Sequence, residues 1–379
     1  VEIVCPDALA DSDRESIEGV SVRRFPYFYP YLGLGPDARR KLDLKGGNLV
    51  SPGLFLDLLR RAPLDLAHLH TGLRLGGLVR TACRLRGKPY VVSLHGGVHD
   101  TSPDEESAYT EPTRGTLEWG KALGWLVGSR RVLDDAAAVL VLGRREQAEV
   151  ARRHPRTRVV YFPNGVDPDR FAEGDGASFR ASLGLGPEHR VVLVSGRIDP
   201  QKNQILAVRV MAALAADHPE LRLVLMGHVT NDAYAARVAS EISQSGLDDR
   251  VLLVPGLDGS SGRLADAYHA ADVLMLPSVH EPFGIVILEA WAAGRPVLAS
   301  RVGGVVDLVR DGEDGRLADP ADVASFAGPL REILGATDLG RSLGEAGRLR
   351  VLSEFTWDKA TDRLEAIYEE ALSAHPVRS

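Results

Sequence analysis

Two cations, Arg197 and Lys202, and two carboxylates, Glu281 and Glu289, are the side chains of this 379-residue chain whose types and spacing point most directly to chemistry. The apolar run 190–195 leads into Gly196-Arg197-Ile198-Asp199-Pro200-Gln201-Lys202-Asn203. A glycine lets a backbone approach a ligand closely, and two cations on one short loop suit a diphosphate. Only six of the 45 basic residues are lysines, so Lys202 stands out in a chain whose default cation is arginine. The other reading leaves Arg197 and Lys202 as solvent-facing loop charges.

The second segment follows the run 273–276 and reads Pro277-Ser278-Val279-His280-Glu281-Pro282-Phe283-Gly284-Ile285-Val286-Ile287-Leu288-Glu289-Ala290. Pro282 and Gly284 set a turn, and the apolar run from Ile285 reads as a buried helix. The N–H groups of Phe283, Gly284 and Ile285 would be unpaired at its start, which makes an anion site without side-chain charge. Glu281 lies before the helix and Glu289 on its second turn, so the two reach different parts of one ligand. A carboxylate accepts two hydrogen bonds at once, which suits sugar hydroxyls for one and a ribose diol for the other. The competing reading makes Glu281 a helix cap and Glu289 a surface residue, although a Glu inside Ile-Leu-Glu-Ala-Trp is poorly placed for free exposure.

These loops need strands behind them. Short apolar runs at 1–4, 66–69, 90–94, 138–142, 159–162, 190–195, 221–226, 251–254, 273–276 and 296–299 alternate with helical stretches such as 54–61 and 204–216. Such alternation predicts an α/β protein with parallel, doubly wound sheets, whose ligands bind beyond the carboxyl ends of the strands. The sharpest punctuation is Phe162-Pro163-Asn164-Gly165-Val166-Asp167-Pro168, followed by the glycine-rich 173–176. A hinge placed there predicts two Rossmann-like domains, 1–167 and 168–356, each with its own strand-helix series.

Composition narrows the function. The chain is 44% hydrophobic and 26% charged, a globular balance, and its length suits two domains. Residues 1–167 carry +3 and residues 168–379 carry −10, within the net −7. A half that negative is a poor nucleic-acid binder, so any phosphate there needs locally placed cations. Cys5 and Cys83, the two cysteines, give no disulfide framework or paired zinc spacing, and no apolar run approaches membrane-spanning length. A soluble protein in the reducing cytoplasm is expected.

Several familiar signatures fail on context. Residues 115–122 match a phosphate loop only until the position that needs Ser or Thr, and no strand precedes them. Residues 340–344 match a nucleophile elbow but sit inside a helical run. There is no G-x-G-x-x-G, and His280-Glu281 lacks the second histidine of a zinc helix.

At Glu281 to Glu289, within EPFGIVILEA, the sequence resembles the E-x7-E motif of the family 4 glycosyltransferases (glycosyl transferases group 1), retaining enzymes of the GT-B fold. The following AAGRPVLASRVGGVVDLVRDGEDG stands at the family's expected place. The loop from Gly196 to Lys202, the linker 163–167 and Phe355-Thr356-Trp357 before a last helix are similar to the family's too. In the first half, residues 65–72 and 91–97 look like family strands, with His95 at the active-site histidine position. The resemblance implies two Rossmann-like domains facing a central cleft. The N-terminal domain would be acceptor-side and the C-terminal one would bind the donor, with a helix of about 357–379 returning to the first. Residues 1–6 look like the family's second strand, so the first strand and its glycine-rich loop are expected to be missing from this sequence.

Carried over, the resemblance implies transfer of a hexose-type sugar from a nucleotide-diphosphate-sugar, with UDP or GDP as the nucleotide, to an acceptor hydroxyl. Arg197 and Lys202 would neutralise the leaving diphosphate, Gly196 would let the backbone approach it, Glu281 would hold the sugar hydroxyls and Glu289 the ribose. The amides of Phe283, Gly284 and Ile285 would take the distal phosphate, and His95 would lie by the anomeric centre. The leaving diphosphate is the group most in need of stabilisation, so neither metal nor cofactor is expected if these groups carry its charge. The acceptor is open among a sugar, a glycolipid or another small molecule. A core role for His95 is the competing reading, and at least one of His68 and His70 reads as structural. The basic, aromatic segment 23–31 suits either a loop packed on its own domain or contact with a membrane surface. Two other classes share the fold: a nucleotide-sugar 2-epimerase, and a non-catalytic nucleotide-sugar-binding protein.

Overall fold

Runs that are apolar at every position form strands covered on both faces. In β10 (Arg190–Ser195), Val192 and Val194 join one core, with Leu206, Val210, Tyr234 and Phe326, while Val191 and Leu193 face Phe179, Ala267 and Ala270 on the other side. That is the burial expected of a parallel sheet with helices on each face. The computed structural model describes residues 1–60, 63–96, 111–259 and 261–375. Residue 61 of the expected helix 54–61, Gly97 of the run 91–97 and residues 376–379 of the expected last helix lie outside the described residues.

The chain divides into two compact units. One comprises residues 1–142, 146–162 and 364–379, the other residues 143–145 and 163–363.

In the first unit, the strands in chain order are β1 (Glu2–Pro6), β2 (Arg14–Ile17), β3 (Val20–Phe25), β4 (Tyr31–Leu32), β5 (Ala67–Leu69), β6 (Tyr90–Ser93), β7 (Leu117–Glu118), β8 (Ala138–Val141) and β9 (Val159–Tyr161). β5, β6, β8 and β9 form a parallel sheet in that order, packed on one side by Ile367 and Ala371 of the last helix, Trp357–Ala374. β1 pairs with β3 in parallel, but β2 joins β3 as an antiparallel hairpin, and β4 pairs antiparallel with β7. These pieces correct the expectation of purely parallel pairing. β2 is exposed at every position, so it gave no apolar run to read.

The segment 23–31 turns into its own unit. Arg23 pairs with Glu2 and Asp57, Arg24 with Glu15, and the hydroxyls of Tyr27 and Tyr29 donate to Asp43. Its two cations and the phenols of Tyr27 and Tyr29 are thereby committed to protein partners. Among the described residues no helix is long and apolar enough to cross a membrane.

In the second unit, β10, β11 (Leu221–Met226), β12 (Val251–Val254), β13 (Val273–Leu276), β14 (Val297–Ser300) and β15 (Arg316–Ala318) form one parallel sheet in the order β12-β11-β10-β13-β14-β15. Successive strands from β10 add outward to β11 and β12, after which the chain returns to the other side of β10 with β13. The junction of β10 and β13, in register at Val192↔Val273 and Leu193↔Leu274, is therefore the topological switch point.

Candidate functional site

The loops leaving β10 and β13 are the two that carry the candidate charges, and the switch point makes them neighbours. They are tied together by backbone as well as side chain. Val279 N donates to Gln201 O at 2.9 Å, and Gln201 Nε2 donates to His280 O at 3.1 Å. Lys202 Nζ then meets Glu281 Oε2 at 2.6 Å, and Ser278 Oγ donates to the same oxygen at 3.1 Å. Glu281 is only 6% exposed, so its charge sits where an ion pair matters.

Asp199 organises the first loop. Its carboxylate accepts from Lys202 N at 3.1 Å and Thr230 Oγ1 at 3.3 Å, and lies 3.3 Å from Arg197 Nη2. Gln204 Nε2 donates to Arg197 O at 2.8 Å. Arg197 remains about half exposed, with its guanidinium also donating to Gln201 Oε1 at 3.0 Å. The loop departs against β11: Gly196 N donates to Met226 O, and a side chain at Gly227 would put its Cβ 1.8 Å from Gly196 O. Glycine at 227 is what allows that approach.

The second loop ends in the helix Ile285–Ala292, with Gly284 left-handed at φ 93° immediately before it. The turn is braced from behind by the loop after β14. Gly304 N donates to Glu281 O at 3.0 Å, and a Cβ at Gly303 or Gly304 would lie about 2 Å from the carbonyl oxygen of Glu281 or Pro282. Among the described residues, the N–H groups of Phe283, Gly284 and Ile285 have no protein acceptor. An anion would satisfy them.

One turn into the helix, Glu289 accepts a 2.5 Å hydrogen bond from Tyr268 Oη. Tyr268, on the helix Arg263–Ala270, is fully buried. Burial pushes the Glu289 carboxyl above the usual range, against the smaller opposing effects of the Tyr268 hydrogen bond and Arg170. Burial, the Glu289 charge and the bond to it push the Tyr268 phenol well up, so it serves as a donor throughout the physiological range. Trp291, two residues on, is buried and donates its Nε1–H to Asp314 O at 2.9 Å, which fixes the helix rotation and with it the direction of Glu289.

Within the second unit, the structure gathers Gly196, Arg197, Lys202, Glu281, Phe283, Gly284 and Ile285 around the switch point, with Glu289 on the helix beyond. Lys202 and Glu281, read separately from the sequence, are one ion pair. Sequence reasoning did not find Tyr268 or Asp199. Tyr268 sits in an ordinary amphipathic helix with nothing in its spacing to single it out. Asp199 lay within the quoted loop but was not weighed. In the first unit, His95 follows β6 and its ring lies against His70, with Nε2 2.9 Å from His70 Nδ1. Among the described residues no group of three or more His, Cys, Asp or Glu side chains is arranged to hold a metal ion.

Two parallel-sheet units of this kind define the GT-B class. The chain is similar in structure to sucrose-phosphate synthase from Thermosynechococcus elongatus, with a TM-score of 0.74 and 25% identity over 98% of this chain and 89% of that one. It also shares its fold with Anabaena HepE, solved in complex with UDP, at a TM-score of 0.71 and 21% identity over 94% of this chain and 87% of that one. Residues 176–350 match the glycosyl transferases group 1 family and residues 1–165 match a glycosyl transferase 4-like domain; the chain belongs to this glycosyltransferase family 4 lineage. Among its relatives are the D-inositol 3-phosphate glycosyltransferases of Geodermatophilus obscurus, 34% identical over 65% of this chain and 55% of theirs, and Streptomyces avermitilis, 36% identical over 64% and 54%. The chain thus spans little more than half the length of these relatives.

Proposed function

We propose that the protein is a retaining glycosyltransferase that moves a hexose-type sugar from a nucleotide-diphosphate-sugar, carrying UDP or GDP, to an acceptor hydroxyl. The observation that carries this reading is the meeting of Lys202 and Glu281 at 2.6 Å beside three unsatisfied N–H groups and within one helix of Glu289. A diphosphate entering there finds Lys202, Arg197 and the amides of Phe283, Gly284 and Ile285 as donors. Glu281 loses its lysine to the phosphate and gains sugar hydroxyls, while Glu289, already oriented by Tyr268, accepts the ribose diol. The UDP complex of a protein with this fold supports a nucleotide donor of that kind.

The chemical demand falls on the leaving group. As the glycosidic bond breaks, negative charge grows on the diphosphate and positive charge on the sugar ring. Preset cations and amides stabilise the first without reorganising, and the Glu281 carboxylate stabilises the second at close range. The described site offers no side chain as an evident covalent nucleophile. Attack on the face that the diphosphate leaves, with that phosphate taking the acceptor proton, therefore fits these residues, and His95 is assigned to the transferred sugar. The unit containing residues 163–363 takes the donor in this reading, and the first unit takes the acceptor.

Incubation with UDP-glucose, UDP-N-acetylglucosamine and GDP-mannose, with and without an acceptor mixture, tests the reading. Acceptor-dependent release of nucleoside diphosphate supports it. Isomerised donor would make the protein an epimerase, and binding without turnover a nucleotide-sugar-binding protein.

A further inference from the structure

Three histidine rings in the first unit form a column. His68 lies in β5 and His70 just beyond it, and their ring centroids are 4.3 Å apart. The ring centroids of His70 and His95 are 5.1 Å apart with planes 14° apart, and His70 Nδ1 lies 2.9 Å from His95 Nε2, so these two rings meet edge to edge. The base of the column is pinned at both nitrogens: His68 Nδ1 is 2.6 Å from Tyr368 Oη, and His68 Nε2 is 2.7 Å from Ser93 Oγ. β5 and β6 are parallel neighbours, in register at His68↔Val91, which is why residues just beyond their ends meet.

Burial lowers the pKa of all three histidines, and that of His68 is brought down to about 4, so the column is neutral near pH 7. A neutral imidazole carries one N–H and one lone pair. Two ring nitrogens in a 2.9 Å contact must therefore share a single proton. If His70 donated from Nδ1, His95 would hold its own proton on Nδ1, and both rings would be in the intrinsically less stable Nδ1–H form. If His95 donates from Nε2, both rings take the more stable Nε2–H form. His95 Nδ1 is then a bare acceptor, and among the described residues it has no partner.

We infer that His70 is a positioning residue that locks His95 in the Nε2–H tautomer, so that His95 presents Nδ1 to substrate solely as a hydrogen-bond acceptor for a hydroxyl. The inference rests on the proposed transferase reading for the identity of that hydroxyl, but not for the tautomer. The bond made by one ring nitrogen dictates what the other can do.

Nitrogen-15 histidine spectra of the whole protein at pH 7.5 test the lock. His95, assigned by its loss in His95→Gln, is expected to show a protonated Nε2 and an unprotonated Nδ1. His70→Phe keeps an aromatic ring at this position and removes the acceptor, so it should give a tautomer mixture at His95 and lower kcat about 10-fold, a loss in keeping with misplacing one contacting group. His70→Asn returns an acceptor near the Nδ1 position and should restore both the tautomer and most of kcat. A protonated Nδ1 at His95 in the unmodified protein overturns the inference even if no variant folds. So does an unchanged tautomer in His70→Phe. Failure of the transferase reading has a separate signature: no acceptor-dependent turnover of any donor, with the His95 spectrum as expected.

Discussion

Lys202 Nζ lies 2.6 Å from Glu281 Oε2, and both side chains are largely withdrawn from solvent. The residue expected to hold the diphosphate and the one expected to hold the sugar thus neutralise each other before any donor arrives. Removing one partner leaves the other buried without compensation. Lys202→Met should lower stability by about 3 kcal/mol, and adding Glu281→Gln should recover part of that loss. Turnover should fall about 100-fold or more in both variants, because the leaving diphosphate loses its cation either way. Chemical denaturation of the single and double variants separates the two effects. A double variant no more stable than the single one would argue that the pair does not carry a structural charge balance.

The two glutamates divide the donor. Glu289 is expected to hold a ribose that changes little during reaction, and Glu281 a ring that becomes cationic. Glu289→Gln should raise donor KM about 10-fold, the value of one charged hydrogen bond, with a small change in kcat. Glu281→Gln should act mainly on kcat. Steady-state kinetics with the donor varied reads both, and the reverse pattern would invert the placement of the sugar along the helix Ile285–Ala292.

Much of this site was legible in the sequence because its positions are dictated by local chemistry. Pro282 and Gly284 mark a turn, the apolar run after it marks a buried helix, and each charged loop follows an apolar strand. What was hidden depends on contacts across the sheet. Tyr268 orients Glu289 from another helix, and Gly303 and Gly304 brace the Glu281 turn from the loop after β14, although that loop was quoted for its resemblance alone. The hairpin β2–β3 escaped notice because β2 is solvent-exposed throughout and has no apolar alternation to betray it. β15 was missed because it offers only Leu317 and Ala318 as apolar residues, between Arg316 and Asp319.

Gly227 offers a test remote in sequence from Arg197, Lys202, Glu281 and Glu289. A methyl group there would sit 1.8 Å from Gly196 O, so Gly227→Ala must push the diphosphate loop away from β11. The expected outcome is a loss of about 2 kcal/mol in stability from overpacking, with donor affinity reduced. Calorimetric titration with UDP and GDP checks the affinity. Unchanged binding in a folded Gly227→Ala protein would show that the loop's position does not set it.

His68 gives the fold a pH dependence of fixed sign. Its pKa is brought from an ordinary 6.5 to about 4, chiefly by burial, with the neighbouring His70 and His95 adding to it. The unfolded chain therefore binds more protons than the folded one between those values. Stability from this residue is full above pH 6.5 and is lost as the pH falls toward 4. Urea midpoints across that window should fall more steeply for the unmodified protein than for His68→Gln. Parallel curves would mean that His68 titrates normally in the fold.

The central claim is that the switch point between β10 and β13 binds the diphosphate of a nucleotide-sugar. Calorimetric titration of UDP and GDP into the unmodified protein and into Lys202→Ala tests it most directly. At least one nucleotide should bind the unmodified protein with one-to-one stoichiometry, and Lys202→Ala should weaken that binding about 10-fold or more. Equal affinity in the two folded proteins, or binding of neither nucleotide to the unmodified one, would contradict it.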